Sequence, residues 1–183
     1  MPHAQTPDHS GAAIATQKVQ PYGEDDLVLT TTAADLDGRL ADRHSAYHDN
    51  VSPPLVWTAV EGAAGYAIIV EDPDAPREKP FVHWLIWNIP GEATSLPEGL
   101  PNEASLGLIG GATQGINDNG SVGWFGPRPP VGHGVHHYHI QIFALAERLP
   151  FDEKTVATDL VNALKGDALA SDDLIVTYEA AGA

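Results

Sequence analysis

The chain of 183 residues contains no cysteine. A disulfide framework and thiolate chemistry are therefore both excluded. Cations are scarce too: nine Lys and Arg stand against 25 Asp and Glu, for a formal net charge of −16. Nucleic acids and anionic lipid surfaces are gripped by clustered cations, so no nucleic-acid partner is expected. The acidity itself reads as a surface charge that keeps chains apart in water. No run of about 18 apolar residues occurs, so no transmembrane segment is expected. The stretch MPHAQTPDHSGAAIATQKV has neither a basic start nor a sustained apolar run. It does not read as a signal peptide, and a cytoplasmic location is expected. Residues 1–16 read as a loosely ordered tail on a single domain spanning 1–183.

Glycine and proline, by contrast, are plentiful, at 18 and 15 residues. They punctuate the chain without a repeat period, which favours a β-rich domain with long loops. From Asp25 the chain reads as a strand followed by a turn at Asp37-Gly38. Asn50 to Trp57 reads as an extended entry, since neither Pro53 nor Pro54 suits a helix interior. GYAIIVE (65–71) is an apolar run suited to a strand buried on both faces. FVHWLIWNIP (81–90) is aromatic and β-branched, and Pro90 ends it. HHYHIQIFAL (136–145) alternates, with His136 and Tyr138 on one face and His137, His139, Gln141 and Phe143 on the other. Residues 91–122 read as one long loop. A helix is expected after a cap at Asp152, carrying Val156, Leu160, Val161 and Leu164 as its apolar stripe and Gly166 as a left-handed C-cap. A short helix through Ala168–Asp173 and a strand over 174–179 complete the reading.

Three segments carry candidate chemistry. EDPDAP (71–76) leaves a buried strand and places Asp72 and Asp74 at its exit; an ordinary Asx turn explains the same residues. His83 sits beside Trp84 near the start of another buried strand, where an interior histidine with a satisfied hydrogen bond is the plainer explanation. In a regular strand Trp84 would face the opposite surface from His83. The third segment is GWFGPRPPVGHGVHHYHI, residues 123–140, with four glycines, three prolines and four histidines. Its glycines can leave backbone N–H groups uncovered, and its prolines stiffen the path. A rigid loop of that kind makes an anion cradle, and His136 and Tyr138 would line it.

In their order and spacing these segments resemble the phosphatidylethanolamine-binding protein family, also called the Raf kinase inhibitor-like family. DNVSPPLVW (49–57), QGINDNG (114–120) and ALASDDLIVTYE resemble its bacterial branch, over roughly residues 25–180. The resemblance implies a mainly β fold: a two-sheet antiparallel Greek-key β-sandwich with a few peripheral helices. It also implies a small surface pocket for phosphate, phosphorylated head groups or similar anions. Carried over by position, that pocket comprises Asp72, Asp74, His83, Gly126, Pro130, His136 and Tyr138. A homodimer is the assembly it implies. One position departs from the family: where H-R-Y is usual, this chain reads His136-His137-Tyr138, and Arg128 is a candidate for the missing cation.

The function expected is binding of a small anionic or phosphorylated ligand, with His83 and His136 as charged donors. No catalytic nucleophile, no cofactor fingerprint and no metal set stand out. Acid–base chemistry by Asp72, Asp74, His83 and His136 on a small molecule is the alternative. A metal clip at His137 and His139 is a weaker one, since two ligands do not make a site.

Overall fold

The computed structural model describes residues 13–182. Among the described residues nine strands form two antiparallel sheets. The smaller joins β1 (Leu29–Thr30), β2 (Leu55–Trp57) and β5 (Ser95–Leu96) in the order β1-β2-β5. The larger comprises β3 (Gly65–Asp72), β4 (Phe81–Pro90), β6 (Ser105–Leu106), β7 (Ala112–Gln114), β8 (His136–Leu145) and β9 (Ala168–Tyr178). Its order is β6-β7-β4-β3-β8-β9. The two sheets enclose one core, in which Leu29, Leu55 and Trp57 meet Ile68, Val70, Trp84 and Tyr138.

The outer face of the large sheet is covered as well. Helix α2 (Ala157–Asp167) and the single turn α1 (Ala15–Lys18) cover Ala67, Ile69, Leu85, Trp87 and Phe143. An antiparallel sheet usually leaves one face wet and alternates accordingly. Here both faces are dry, which is why β3 and β4 read as unbroken apolar runs.

Several expectations change. Ala168–Asp173 is not helical: it is the first half of β9, which pairs with β8 from Leu145↔Ala168 to His136↔Tyr178. Pairing along the whole of β8 outweighs the local preference of Ser171, Asp172 and Asp173. Asp152 does not cap α2; its carboxylate accepts the Lys154 N–H in a separate turn, and Val156 holds the N-cap position. Gly166 lies inside the helix, which runs to Asp167 and ends on extended Ala168. The 91–122 segment contains β5, β6, β7 and a short 3-10 turn at Gly107–Ile109. The turn at Asp37-Gly38 is present, with Gly38 at φ 83°. The anticipated loose tail is docked from Ile14 onward, since Ile14, Ala15 and Val19 are buried. Its residues 1–12 lie outside the described residues.

Register also aims the site. Between β3 and β4, Val70 pairs with Trp84 while Glu71 pairs with Val82. His83 is therefore the extra residue of a β-bulge. A bulge breaks the strict alternation of faces. Consequently His83 and Trp84, although adjacent, both turn toward the inter-sheet side, where each neighbours aromatic residues of that layer. The expectation that Trp84 faces away from His83 does not hold.

Candidate functional site

β3 ends at Asp72 and β8 begins at His136, and the two meet at one end of the sandwich. Asp72 Oδ2 accepts the His136 Nδ1–H at 2.8 Å, and Oδ1 accepts the Asp74 N–H at 2.8 Å. Asp74 Oδ2 in turn accepts both the backbone N–H and the ring Nδ1–H of His137, each at 2.7 Å. The 72–75 turn is thus clamped to the start of β8 through both of its carboxylates.

Beside this clamp lies a pocket of about 70 Å³, lined by Asp72, His83, His136 and Tyr138 on the strand side. Phe81, Phe125, Arg128, Pro129 and Pro130 complete the wall. Its size admits a small ionic group and not a whole drug-sized molecule, which requires several hundred Å³. The Tyr47 ring holds Arg128, whose guanidinium carbon sits 5.6 Å from the ring centroid. The Tyr47 hydroxyl donates to the Pro129 carbonyl at 2.7 Å, fixing the loop from behind.

The protonation pattern follows from partners. His83 Nδ1 lies 2.6 Å from the Phe125 carbonyl oxygen and must donate to it. The neutral ring then turns a lone pair at Nε2 away from that bond. Phe81 and Phe125 flank the ring, with centroids 4.7 and 5.8 Å away. Burial pushes the His83 pKa down, against the opposing pull of the Phe125 carbonyl and the Asp72 charge. His83 therefore presents an acceptor to the pocket and not the charged donor expected. His136 has both ring nitrogens engaged: Nδ1 on Asp72, and Nε2 at 2.6 Å from His133 Nδ1. With both rings neutral, His133 donates to His136. The Tyr138 hydroxyl is buried and has no hydrogen-bond partner among the described residues. Burial, reinforced by Asp72 and Asp74, pushes its pKa far up, so it keeps its proton.

A family model described as phosphatidylethanolamine-binding protein matches residues 30–179. The chain belongs to the phosphatidylethanolamine-binding protein family. A protein of Methanothermobacter thermautotrophicus, named only as a UPF0098 protein, is 39% identical over 151 residues, which is 82% of this chain and 97% of that one. A UPF0098 protein of Pyrococcus abyssi is 34% identical over 158 residues, covering 86% of this chain and 88% of the relative. Among solved structures, Escherichia coli YbcL, described as a new member of the mammalian PEBP family, superposes with a TM-score of 0.79 at 30% identity. That match covers 86% of this chain and 100% of YbcL. Family members thus occur in bacteria as well as archaea.

Of the seven positions carried over from the phosphatidylethanolamine-binding protein pattern, five line the pocket together: Asp72, His83, Pro130, His136 and Tyr138. Two do not. Asp74 is fully buried behind the clamp. Gly126 packs against the 44–46 backbone, where a Cβ would collide with the His44 carbonyl oxygen, and its N–H donates to Asn50 Oδ1 at 2.7 Å. Its glycine serves close packing, so the idea of a bare N–H cradle does not extend to it. The histidine that replaces the family's usual Arg, His137, anchors Asp74 from the outer face, as alternation along β8 requires. His139 turns to a different carboxylate, with Nδ1 2.8 Å from Asp173 Oδ2, so the two rings are not drawn into one clip. Among the described residues no cluster of three or more His, Cys, Asp or Glu is placed to hold a metal ion. Phe81 and Phe125 escaped the sequence reading because aromatic residues at loop ends carry no distinctive spacing, whereas Pro129 lies within the Gly126–Pro130 loop expected to line the pocket. Among the described residues no helix is long and apolar enough to cross a membrane.

Proposed function

We propose that the pocket binds a small anion or a phosphorylated head group. The observation that carries this reading is Tyr138, a residue that lines a pocket also walled by Arg128 and whose buried hydroxyl has no partner among the described residues. A buried polar group left unpaired costs roughly 1–3 kcal/mol, a deficit that an arriving anionic oxygen removes. The neutral His83 refines the ligand. Its Nε2 accepts, so the fitting partner presents both an anionic oxygen and a hydroxyl, as monobasic phosphate does. Affinity for phosphate is then expected to rise as pH falls, because protonation of His83 adds a charged donor beside the anion.

Tyr138→Phe gives the sharpest test, with calorimetric titration of inorganic phosphate and phosphoethanolamine. The hydroxyl has no protein partner, so its removal should leave stability unchanged or slightly higher. Phosphate affinity should drop roughly ten- to a hundredfold, the worth of one hydrogen bond to a charged group. His137→Gln is the control: its ring serves Asp74 on the outer face, and affinity should stay put. Equal affinity in wild type and Tyr138→Phe would overturn the reading. The chain His133–His136–Asp72 also favours a second reading, acid–base catalysis on a small molecule in the same pocket. Turnover of a phosphoester or small carbonyl compound that disappears in His136→Ala would establish it. The reading extends to a cytoplasmic homodimer; a sedimentation mass of a single 19.4 kDa chain at micromolar concentration would remove the dimer.

A further inference from the structure

A second and larger pocket, of about 560 Å³, lies on the opposite, helix-covered side of the large sheet. Its walls contain Lys18, Arg77, Lys79 and Lys165. Four of the nine cations in a chain of net charge −16 therefore gather around one cavity. Arg77 is partly neutralised by Asp118, 3.1 Å away. The first turn of α2 contributes Ala157 and Thr158, and its N-cap residue, Val156, offers no side-chain acceptor for their N–H groups. The positive end of the helix dipole thus adds to the local field. Val82 and Val161 supply an apolar wall.

Glu71 lies at the base of this cavity, only 5% exposed. It accepts the Ala15 N–H at 2.8 Å and the Gln141 side-chain N–H at 2.7 Å, both at Oε2. Oε1 accepts from no described residue, so this carboxylate, whose residue lines the cationic pocket, keeps one oxygen for an incoming donor.

We propose that this pocket is a second ligand site, independent of the Asp72–His136 pocket. It takes a small organic anion with an apolar body and a hydrogen-bond donor remote from the charge. The anionic group faces Lys79, Lys165 and the first turn of α2. The body lies on Val82 and Val161, and the donor reaches Glu71 Oε1. Repulsion by the acidic remainder of the surface confines such an anion to this patch and to the Arg128 pocket.

The test uses benzoate and 4-hydroxybenzoate as probes, followed by amide chemical shifts of the isotope-labelled full chain. Both should produce saturable shifts at Ala157, Thr158 and Lys79, with 4-hydroxybenzoate binding about three- to tenfold more tightly through its added donor. The double variant Lys79→Ala/Lys165→Ala alters two exposed side chains and should weaken both probes at least about fivefold. Arg148→Ala removes a cation that does not line the pocket and should leave the shifts unaltered. His136→Gln should also leave them unaltered, which separates this site from the anion pocket whatever the fate of that reading. Absence of saturable shifts around α2 at up to roughly 20 mM probe, well into the millimolar range of weak binding, overturns the proposal. So does undiminished affinity in the double variant, or equal affinity for the two probes.

Discussion

Glu71 and Asp72 are neighbours at the end of β3, both nearly buried, and they serve opposite faces of one sheet. Asp72 turns to the inter-sheet side, where a histidine ring and a turn N–H fill both of its oxygens. Glu71 turns to the helix-covered side, where a backbone N–H and a glutamine amide share one oxygen and the other accepts from no described residue. Burial raises the Glu71 pKa, and those two hydrogen bonds only partly offset it. The difference is instructive because alternation alone separates the two carboxylates. One ties the chain together at the mouth of a small pocket. The other is a polar spot in an otherwise apolar wall, facing scattered cations at the rim of a larger one.

The comparison breaks most severely if the layer behind the small pocket is removed. Trp84 is fully buried, donates through its indole N–H to Gln114 at 2.7 Å and meets Trp124 edge-on. Trp84→Ala should destabilise the fold by about 3–5 kcal/mol, from lost burial and the cavity left behind. Chemical denaturation measures it. A loss below about 1 kcal/mol would mean that the inter-sheet layer collapses around the gap.

Next in size are substitutions at the carboxylates themselves. Asp72→Ala leaves the His136 ring N–H and the Asp74 N–H without acceptors, a loss of about 2–4 kcal/mol for two buried donors. Glu71→Gln retains an oxygen for the Ala15 N–H and should cost less than about 1 kcal/mol. Equal losses at the two positions would show that the clamp and the helix-side contacts contribute alike.

Sequence reasoning reached the strands of greatest hydrophobic content, because β3, β4 and β8 are buried on both faces and have the composition to match. It missed the first half of β9. Ser171, Asp172 and Asp173 look like surface or turn residues, and their strand conformation comes from ladder partners thirty residues away. The two- and three-residue strands β5 to β7 are too short to leave any periodicity. Five pocket residues were legible through motif order, but their roles were not. That His83 and Trp84 share a side depends on one bulge, set by the pairing partner on β3. That Gly126 packs and does not cradle depends on the 44–46 backbone, distant in sequence. The pairing of His137 with Asp74 needed both ends of the clamp in view.

The smallest expected effect sharpens the comparison through pH. His83 is held neutral by burial, so its pKa in the folded chain lies below the roughly 6.5 of an unfolded one. Between those values the unfolded chain binds more protons than the folded one. The associated stability is therefore present above about pH 6.5 and falls away as pH drops. Glu71 works in the opposite sense. Its folded pKa is raised, so its contribution is complete below the unfolded carboxyl value near about 4.3 and is lost as pH climbs through the folded one. Asp72, Asp118 and the Phe125 carbonyl favour the charged form of His83, and His136 opposes it. Lys18 and His139 favour ionised Glu71. The two sides of the sheet should thus leave opposite slopes in denaturation midpoints collected from pH 8 to pH 4. His83→Gln should flatten the upper part of the profile and leave the lower part intact, whereas Glu71→Gln should do the reverse. Saturating phosphate should also flatten the upper part, since an anion in the small pocket favours the protonated ring. A profile that His83→Gln leaves unchanged just below about pH 6.5 would mean that this ring is not the group titrating there, and the acceptor role assigned to its Nε2 would go with it.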